Sequence, residues 1–477
     1  MNRTHLLSAV TLVALCFLAL IYGATSVYMG WWPGKLVGDA KRAAEALLSV
    51  EEEELRKNWP TSMEFIETSG HEKLTTIDYS GDATANDELI FVDGGSQQLR
   101  RNCPENGCIA WLMDRAGNIR HVWNIGPKLI WEGADHIKGF SRAENIYSVG
   151  AHPFSNGDLL VVYQGRNTYP YGVGVAKFDK DSNLLWRKDN YAHHWLSVDA
   201  KGLIYVPVFS ELKTPVQLGD SNLQIECPGG SLYEDEIAIL DPDGNEVKRI
   251  SILDSLVRSN LTGLVFRAVH SDRPLPLTFT ECDPTHLNDI QIISAEEAET
   301  SPHLSAGDLL ISLRSTNTVA AINPESGKVT WSSSGGTILQ HSPRYMGDDS
   351  VLIFDNLGGL SRQGGSRIVQ LNMGNGSTRI VIPDPDDKDD EDFLSATAGY
   401  IDLSRDRSRA LVSLTRQGRT LEVDLASGDI LWEFLNIHDV SDVVKSENET
   451  DKVFGRFATQ TVRYFVDPDF EFNEGRL

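Results

Sequence analysis

Histidines and one arginine stand beside short apolar stretches at five places in this chain. The segments are GAHPFSNGD with His152, AHHWLSVDAKG with His193 and His194, DPTHLNDI with His286, LLISLRSTNTV with Arg314, and LQHSPRYM with His341. A neutral imidazole is a nucleophile and a proton carrier near neutral pH. The planar guanidinium of arginine offers several donors to a tetrahedral oxyanion such as sulfate or phosphate. If the fold brings them together, these side chains would form a candidate cluster around a pocket for a tetrahedral oxyanion.

Two other interpretations apply to these histidines. A single histidine beside a strand is commonly bonded to a loop carbonyl, which would be a structural role only. Metal binding is the second, but no histidine pair has the H-x-x-x-H spacing and no cysteines have zinc spacing. The acidic run Asp384–Asp392 lacks the spaced glycine of a calcium loop and is typical of a solvated surface loop. We therefore predict no metal site and no cofactor.

One repeated pattern predicts the elements that position these residues. It consists of a short apolar or alternating run, an Asp or Asn, a turn that usually contains Gly, and a second run that often ends in Trp. Asp, Asn and Gly supply the turn conformations that let two strands reverse within a few residues, so each copy predicts a β-hairpin. The six copies span Ala110–Trp123, Val175–Trp186, Ile237–Ile250, Ala320–Trp331, Val369–Ile382 and Leu421–Trp432.

Further apolar runs between the copies give each repeating unit about four strands. Hairpins of this kind bury neither face alone, and closing six units into a ring removes the exposed edges. The expected fold is therefore all-β, a six-bladed β-propeller. A β-sandwich is the alternative, although it does not need the same hairpin signature six times. Since comparable places in different blades converge on the axis, the histidines and Arg314 become a candidate cluster.

The N-terminus predicts a membrane attachment. Residues Leu6–Ala24 carry no charge, are long enough to span a bilayer, and are followed by aromatic residues typical of the membrane interface. A cleaved signal peptide is the alternative. We expect a membrane anchor or signal segment at 1–30, a helical stalk at 31–60, an accessory or ring-closing segment at 61–105, and the propeller at 106–470. The propeller would then lie in the periplasm or outside the cell.

Charge and cysteine content narrow the partners and the compartment. The formal net charge of −25 would repel a phosphate backbone, so we expect no nucleic acid partner. Cys103 and Cys108 are close enough in sequence to pair in an oxidising compartment, and Cys227 with Cys282 is a second candidate bridge. Four reduced core cysteines are the alternative.

The quoted segments together resemble the arylsulfotransferase family, the nucleotide-independent bacterial enzymes that are six-bladed propellers. The matching pieces run from about Ala110 to Phe434. They include LMDRAGNIRHVW, AHPFSNGDLLV, HHWLSVDAKGLIYV, DPTHLNDIQ with GDLLISLRSTNTVAAIN, QHSPRYM with LIFDNLGG, and EVDLASGDILWEF. The run from DPTHLND through SLRS to QHSP and FDN is the specific part, because single hairpins would match many propellers.

The resemblance implies a two-step transfer. A histidine attacks the sulfur of an aryl sulfate ester, and a phenolic acceptor then collects the sulfuryl group. His341 would be the nucleophile, His286 and Arg314 would bind the sulfuryl oxygens, and His194 would assist proton transfer with the phenol. The resemblance leaves open which of the two adjacent histidines faces the pocket. The expected substrate contacts are His193, His152, Asn288 and Asn356.

Two other functions stay open at the level of sequence. One is a non-catalytic propeller that binds an anionic ligand in a basic axial pocket or presents its rim to a partner protein. The other is a quinone-cofactor dehydrogenase, whose blades are also rich in Trp but which usually has eight blades and a calcium site. Turnover of an aryl sulfate separates the first of these from the enzyme.

Overall fold

The protein is described here by a computed structural model. The described residues are 3–28, 31–33, 75–78, 88–93, 110–123, 130–131, 133–139, 146–165, 168–169, 171–220, 223–227, 230–269, 282–359, 365–384, 393–395, 397–415, 418–435, 461–466 and 470.

The described strands follow one another along the chain in five groups. The first group is β1 (Thr75–Asp78), β2 (Leu89–Asp93), β3 (Ala110–Met113), β4 (Ile119–Trp123) and β5 (Lys138–Gly139). The second is β6 (Ile146–Pro153), β7 (Leu159–Gly165), β8 (Thr168–Tyr169), β9 (Gly172–Phe178) and β10 (Leu184–Lys188). The third is β11 (Ser197–Val198), β12 (Ile204–Lys213), β13 (Val216–Gln217), β14 (Gln224–Ile225), β15 (Ser231–Leu240) and β16 (Glu246–Ser251). The fourth is β17 (Leu287–Ile292), β18 (Leu309–Leu313), β19 (Thr318–Asn323), β20 (Lys328–Ser334), β21 (His341–Gly347), β22 (Ser350–Asp355), β23 (Arg367–Asn372) and β24 (Thr378–Ile382). The last is β25 (Tyr400–Leu403), β26 (Arg409–Leu414), β27 (Arg419–Asp424), β28 (Ile430–Leu435) and β29 (Thr461–Phe465).

Six antiparallel sheets form the blades, which confirms the predicted six-bladed propeller. From the innermost strand outward, the blades are β29-β2-β3-β4, β6-β7-β9-β10, β11-β12-β15-β16, β17-β18-β19-β20, β21-β22-β23-β24 and β25-β26-β27-β28, the last extended by β1. The innermost strands of successive blades contact one another; for example, β17 contacts β21, and β21 contacts β25. They therefore surround the axis, and their ends are the places where side chains of different blades can meet.

The six hairpins predicted from the repeat are the two outer strands of the six blades, β3-β4 through β27-β28. In the second blade, the Asp179 carboxylate accepts hydrogen bonds from the backbone N–H groups of Asp181 and Asn183 at 2.9 and 2.8 Å. Asp241 does the same in the third blade with Asp243 and Asn245. Such turns are local chemistry, which is why the sequence pattern predicts them.

Apolar clusters fill the six interfaces between neighbouring blades. Successive residues of a strand point to opposite faces, so one strand serves two interfaces. On β2, Ile90 packs toward the sixth blade and Phe91 toward the second, and both are fully buried. The ring is therefore stabilised by side-to-side packing at every blade boundary.

The first blade combines both ends of the chain. Strand β29 pairs with β2 from Leu89↔Phe465 to Asp93↔Thr461, which closes the ring. The segment 61–105 thus contributes β2 to the propeller itself and β1 to the outer edge of the sixth blade, where Thr75 pairs with Leu435.

The helices within the described residues are not part of the blade sheets. They are α1 (Arg3–Tyr28), α2 (Ile252–Arg258), α3 (Thr262–Val269) and α4 (Ala295–Glu299). Helices α2 and α3 lie in the connection between the third and fourth blades, and α4 follows β17.

The N-terminal predictions have mixed outcomes. Helix α1 covers the apolar segment, yet within the described part of the chain we find no helix with the length and hydropathy needed to cross a bilayer. The stalk predicted from Lys35 to Trp59 and the pair Cys103–Cys108 lie outside the described residues.

The second candidate bridge is present. Cys227 and Cys282 form a disulfide that links the β14 end of the third blade to the segment that leads into β17. Cys282 immediately precedes the Asp283–His286 segment of the candidate site.

Candidate functional site

Three histidines lie at the same end of three neighbouring innermost strands. His341 begins β21, His286 directly precedes β17, and His194 lies three residues before β11. The rings of His194 and His286 contact each other edge to face with centroids 5.0 Å apart. Arg314 and His341 also lie close enough to His194 to contribute to the lowering of its pKa, of which burial is the largest cause. The structure therefore brings together the four residues predicted to be catalytic.

The His341 ring is held by two acceptors. Its Nδ1 lies 2.7 Å from Oδ1 of Asn356 and 3.1 Å from the carbonyl oxygen of Leu339. The Asn356 amide nitrogen donates to the carbonyls of Ser395 and Ala398, both at 2.6 Å. Because those bonds fix the amide orientation, Oδ1 faces the imidazole and Nδ1 must carry the proton. The Nε2 atom of His341 then keeps its lone pair.

Arg314 is the positive charge at the centre of this group. It follows β18, is 3% exposed, and its backbone N–H donates to the carbonyl of His286 at 3.1 Å. Burial, followed by the charge of Arg314, lowers the pKa of His341 to about 3. The same two causes hold the pKa of His286 well below its usual value. The pocket therefore combines a permanent cation with neutral imidazoles at neutral pH.

His286 is oriented by Asp283. The His286 Nδ1 lies 2.6 Å from Oδ2 of Asp283, and the His286 backbone N–H donates to Oδ1 of the same carboxylate at 3.1 Å. Burial raises the pKa of Asp283 to about 6, while the nearby positive charge of Arg314 acts against this rise. The pair leaves His286 Nε2 as the atom available to the pocket.

The structure separates the two adjacent histidines. His194 is partly exposed and contacts His286. His193 is completely buried, stacks on Phe209 with ring centroids 4.0 Å apart, and has its Nε2 3.3 Å from Oδ1 of Asp235. Direct substrate contact, which the sequence suggested for His193, does not fit a side chain without exposed surface.

The two predicted asparagines lie behind the nucleophile. Asn356 holds the His341 ring, as described above. Asn288, on β17, donates to the carbonyl of Gln340 at 2.9 Å, and Gln340 precedes His341 in the chain. Both are buried, Asn288 with 4% and Asn356 with 0% exposure. They support His341 rather than forming an open surface.

His152 occupies a different level of the ring. It lies on β6 and pairs with Leu160 of β7. The residue of β6 that is equivalent to Leu287, the first residue of β17, is Ser148, because the pair Ser148↔Tyr163 occupies the same position in its blade as Leu287↔Leu313. Four residues of strand place His152 roughly 13 Å further along the axis. Its ring contacts Phe154 with centroids 4.9 Å apart, and burial and the charge of Arg463 lower its pKa to about 3. The predicted equivalence of His152 with the other histidines was wrong in register.

Three residues of the site were missed by sequence reasoning. Tyr171 contacts the rings of His194 and His286 with centroid distances of 5.7 and 6.0 Å, and its hydroxyl is one of the groups that act against the raised pKa of Asp283, of which burial is the largest cause. Asp235 lies on β15 behind His193. Of the three, only Asp283 had a sequence signal, since it stands three residues before His286 in DPTH.

The arrangement is suited to attack on an anionic electrophile. A neutral imidazole with a defined lone pair lies beside a guanidinium and two further imidazoles in a buried setting. Among the described residues, no group of three or more His, Cys, Asp or Glu is arranged to hold a metal ion. The chemistry that these side chains can supply is nucleophilic and acid–base.

Comparison with known proteins gives one family. A sequence model described as arylsulfotransferase (ASST) matches residues 151–436, which is more than half of the chain and includes the pocket described above. No curated protein matches the chain.

Several solved structures resemble this fold at low identity. A protein of unknown function from Bacteroides caccae is 12% identical with a TM-score of 0.43, covering 79% of this chain and 98% of that one. Virginiamycin B lyase from Staphylococcus aureus is 10% identical with a TM-score of 0.34, over 63% and 76% of the two chains. Hydrazine synthase from Kuenenia stuttgartiensis is 9% identical with a TM-score of 0.33, over 65% and 82%.

Proposed function

The chain belongs to the arylsulfotransferase family, and on that basis we propose that it transfers a sulfuryl group from an aryl sulfate ester to a phenolic acceptor through a covalent sulfohistidine at His341. The observation that carries this proposal is the lock on the His341 ring by Asn356 and Leu339. It leaves Nε2 as a nucleophile of fixed direction. Orientation of this kind is a major source of rate in covalent catalysis.

Electrostatics support the choice of an anionic donor. Arg314 supplies a buried permanent charge, and His286 gains a favourable interaction with an anion once it is protonated. Asp283 beside His286 would stabilise that protonated form. Binding of the anionic sulfate ester therefore offsets the positive charges of Arg314 and of protonated His286. Negative charge that develops on the sulfuryl oxygens is stabilised by hydrogen-bond donors that are already in position.

The bonds of the first step balance without a cofactor. The Nε2–S bond forms as the S–O bond to the aryl group breaks, and the phenolate leaves with the bonding electrons. The ring of His341 then carries the sulfuryl group on Nε2 and its proton on Nδ1, still bonded to Asn356. Its positive charge keeps the ring a good leaving group for the second step.

In the second step a phenol takes over the sulfuryl group. The phenol oxygen forms a bond to sulfur, the S–N bond breaks, and the lone pair returns to Nε2 of His341. The phenol proton passes to the Nε2 of His194, whose ring contacts that of His286. A neutral His194 is able to act as this base.

Release of 4-nitrophenolate from 4-nitrophenyl sulfate tests the proposal, with phenol as the acceptor. We expect a burst of one equivalent, a mass increase of one sulfuryl group on the peptide that contains His341, and turnover only when phenol is added. His341→Gln should abolish the burst. The matched variant His303→Gln changes a partly exposed histidine beside Asp349 and should leave both steps unchanged.

A different result would favour the non-catalytic alternative. If the protein bound 4-nitrophenyl sulfate in an Arg314-dependent way but neither bond cleavage nor a labelled peptide appeared with any aryl sulfate, the propeller would be an anion-binding module. Arg314→Gln would then weaken binding of 4-nitrophenyl sulfate, and neither protein would release 4-nitrophenolate.

We also place the propeller outside the cytoplasm. The disulfide Cys227–Cys282 supports this location, because such bonds persist in oxidising compartments. Attachment to a membrane through the N-terminal segment stays a prediction of the sequence. Fractionation of cells that express the full chain, with thiol labelling of Cys227 and Cys282, tests the location.

A further inference from the structure

A buried carboxylate and a buried histidine lie in line behind His194. The His194 Nδ1 is 2.8 Å from the Nδ1 of His193, and the Nε2 of His193 is 3.3 Å from Oδ1 of Asp235. Both His193 and Asp235 are fully buried. Resting on the function proposed above, we infer that Asp235 and His193 are positioning residues that keep the proton of His194 on Nδ1 and so present its Nε2 lone pair to the phenolic acceptor.

The Asp235 carboxylate is itself fixed. Its Oδ2 accepts from the hydroxyl of Thr285 at 2.5 Å and from the backbone N–H of Leu287 at 2.9 Å. Oδ1 is therefore directed at His193, although the contact lacks the alignment of a hydrogen bond. An unprotonated Nε2 would put a lone pair against this oxygen in a dry interior, which is strongly unfavourable. Nε2 of His193 thus carries the proton.

The tautomer of His194 follows from that of His193. With its proton on Nε2, a neutral His193 has only an acceptor at Nδ1. The short contact between the two Nδ1 atoms then requires His194 to donate from Nδ1. His194 Nε2 is left with the lone pair, on the ring that contacts His286 and Tyr171.

Asp235, His193 and His194 form a relay that is held in one arrangement. His193 stacks on Phe209, and its backbone N–H donates to the carbonyl of Pro207 at 3.0 Å. When His194 takes the phenol proton on Nε2, both of its nitrogens carry protons and the ring becomes positive. The Nδ1–H bond to His193 persists, and the negative charge of Asp235 offsets the new charge.

The two half-reactions should depend on this relay to different extents. Departure of 4-nitrophenolate needs no proton, because that anion is a weak base. Attack by phenol needs a base, which general-base catalysis makes about 10²–10⁴-fold faster. Loss of the relay should therefore slow the second step and spare the first.

Asp235→Asn is the variant that tests this inference. The new Oδ1 would keep accepting from Thr285 and Leu287, so Nδ2 would face His193 and move the proton of His193 to Nδ1. His194 would then have to accept at Nδ1 and carry its proton on Nε2, the wrong tautomer. We expect the 4-nitrophenolate burst within about threefold of wild type and transfer to phenol at least about 100-fold slower.

Glu236→Gln is the matched control, since it makes the same change at the next residue of β15, where the side chain pairs with Arg249. Both of its half-reactions should stay within about threefold of wild type. If Asp235→Asn slows the burst and the transfer equally, or slows neither, the inference is overturned.

A measurement without turnover separates this inference from the proposed function. Nitrogen-15 spectra of histidine-labelled protein, with His194 assigned by its loss in His194→Gln, should show His194 protonated at Nδ1 in the wild type and at Nε2 in Asp235→Asn. A wild-type His194 protonated at Nε2 would contradict the inference even if the enzyme is active. If His194 has the predicted tautomer in the wild type but no sulfuryl transfer occurs, that result contradicts the proposed function instead.

Discussion

At the scale of single residues, the backbone of the site is unusual. His194 and His286 have φ angles of +55° and +50°, and His341 lies between Leu339 and Ser342 with φ of +55° and +51°. Residues other than Gly rarely adopt this left-handed region, and each instance costs about 1–3 kcal/mol. Such conformations persist where the surroundings impose them, and they cluster at functional sites. Here they occur beside all three imidazoles of the pocket.

The Asn356 contact predicts a loss of rate with little loss of affinity. Asn356→Ala removes the acceptor at 2.7 Å from His341 and leaves only the Leu339 carbonyl to orient the ring. We expect the rate of the 4-nitrophenolate burst to fall by about 100-fold, the usual effect of misplacing a reacting group. Stopped-flow measurement at saturating donor reports this rate. An unchanged burst would mean that Leu339 alone fixes the ring.

The charge of Arg314 predicts a shift in pH dependence. Burial is the larger cause of the low pKa of His341, which is about 3, and the neighbouring cation Arg314 lowers it further because it disfavours a second positive charge. In Arg314→Gln that pKa rises toward its ordinary value, and protonated His341 cannot attack. The burst should therefore be independent of pH from 5 to 8 in the wild type and show a loss on the acidic side in Arg314→Gln. Rate–pH profiles of the two proteins, compared at one ionic strength, decide this.

How far the sequence predicts the site depends on where each residue comes from. His286, Arg314 and His341 stand at repeated positions of the blades, so the hairpin pattern alone predicts that they meet. His152 differs because the pairing register of β6, rather than its neighbours in sequence, sets its level on the axis. Tyr171 enters from a loop before β9, a placement that no local pattern encodes.

At the scale of elements, the Trp residues that end four of the hairpins bind neighbouring blades. The indole N–H groups of Trp123, Trp186, Trp331 and Trp432 donate to the carbonyls of Gly157, Pro242, Met373 and Arg115. Each acceptor belongs to the next blade around the ring. The repeated Trp is therefore both the end of a hairpin and a lateral contact, whereas the sequence indicated only the first role.

The interface between the sixth and first blades contains a buried ion cluster on which we expect the stability of the fold to depend. Glu422, fully buried on β27, accepts from Arg115, from Arg409 at 2.6 Å and from the Tyr464 hydroxyl at 2.8 Å. Glu422→Gln leaves two cations without their shared carboxylate. Because Arg409 keeps Glu88 at 3.4 Å and is partly exposed, we expect about 3 kcal/mol of lost stability, at the lower end for a broken buried pair. Urea unfolding measures it.

Glu246→Gln provides the comparison for this variant. Glu246 pairs with Arg249 at the surface, at 2.6 Å, with both side chains more than a third exposed or close to it. Surface pairs contribute about 0–1 kcal/mol. Similar losses in the two variants would show that the Glu422 cluster does not hold the first and sixth blades together.

At the scale of the whole molecule, ring closure is the feature that sequence predicts least completely. Six hairpins follow from local turn chemistry, but the partner of β2 lies near the other end of the chain, at β29. No periodicity links residues so far apart, since the two strands meet only when the other five blades are formed. The pairing of β1 with the sixth blade is a second contact of this kind.

Burial of many ionisable groups gives the molecule two opposing responses to pH. Burial is the largest cause of lowered pKa values in His121, His152, His194, His286 and His341. It is also the largest cause of raised pKa values in Asp93, Glu234, Asp283, Asp289 and Asp402. Below about pH 6.5 these histidines bind protons in the unfolded chain, whereas in the folded chain they are buried and stay neutral. Above about pH 4 the folded chain binds protons on carboxyl groups that ionise when unfolded.

These signs predict a plateau followed by a steep loss. As pH falls from 6 to 4.5 the histidines lower the free energy of unfolding and the carboxyl groups raise it, so the urea midpoint should change little. Below about pH 4 the unfolded carboxyl groups also bind protons, the compensation ends, and the midpoint should drop sharply. Asp93→Asn removes a carboxyl whose pKa burial raises to about 7, so its midpoint should begin to fall near pH 6. Parallel curves for the two proteins would show that the buried carboxyl groups do not offset the histidines.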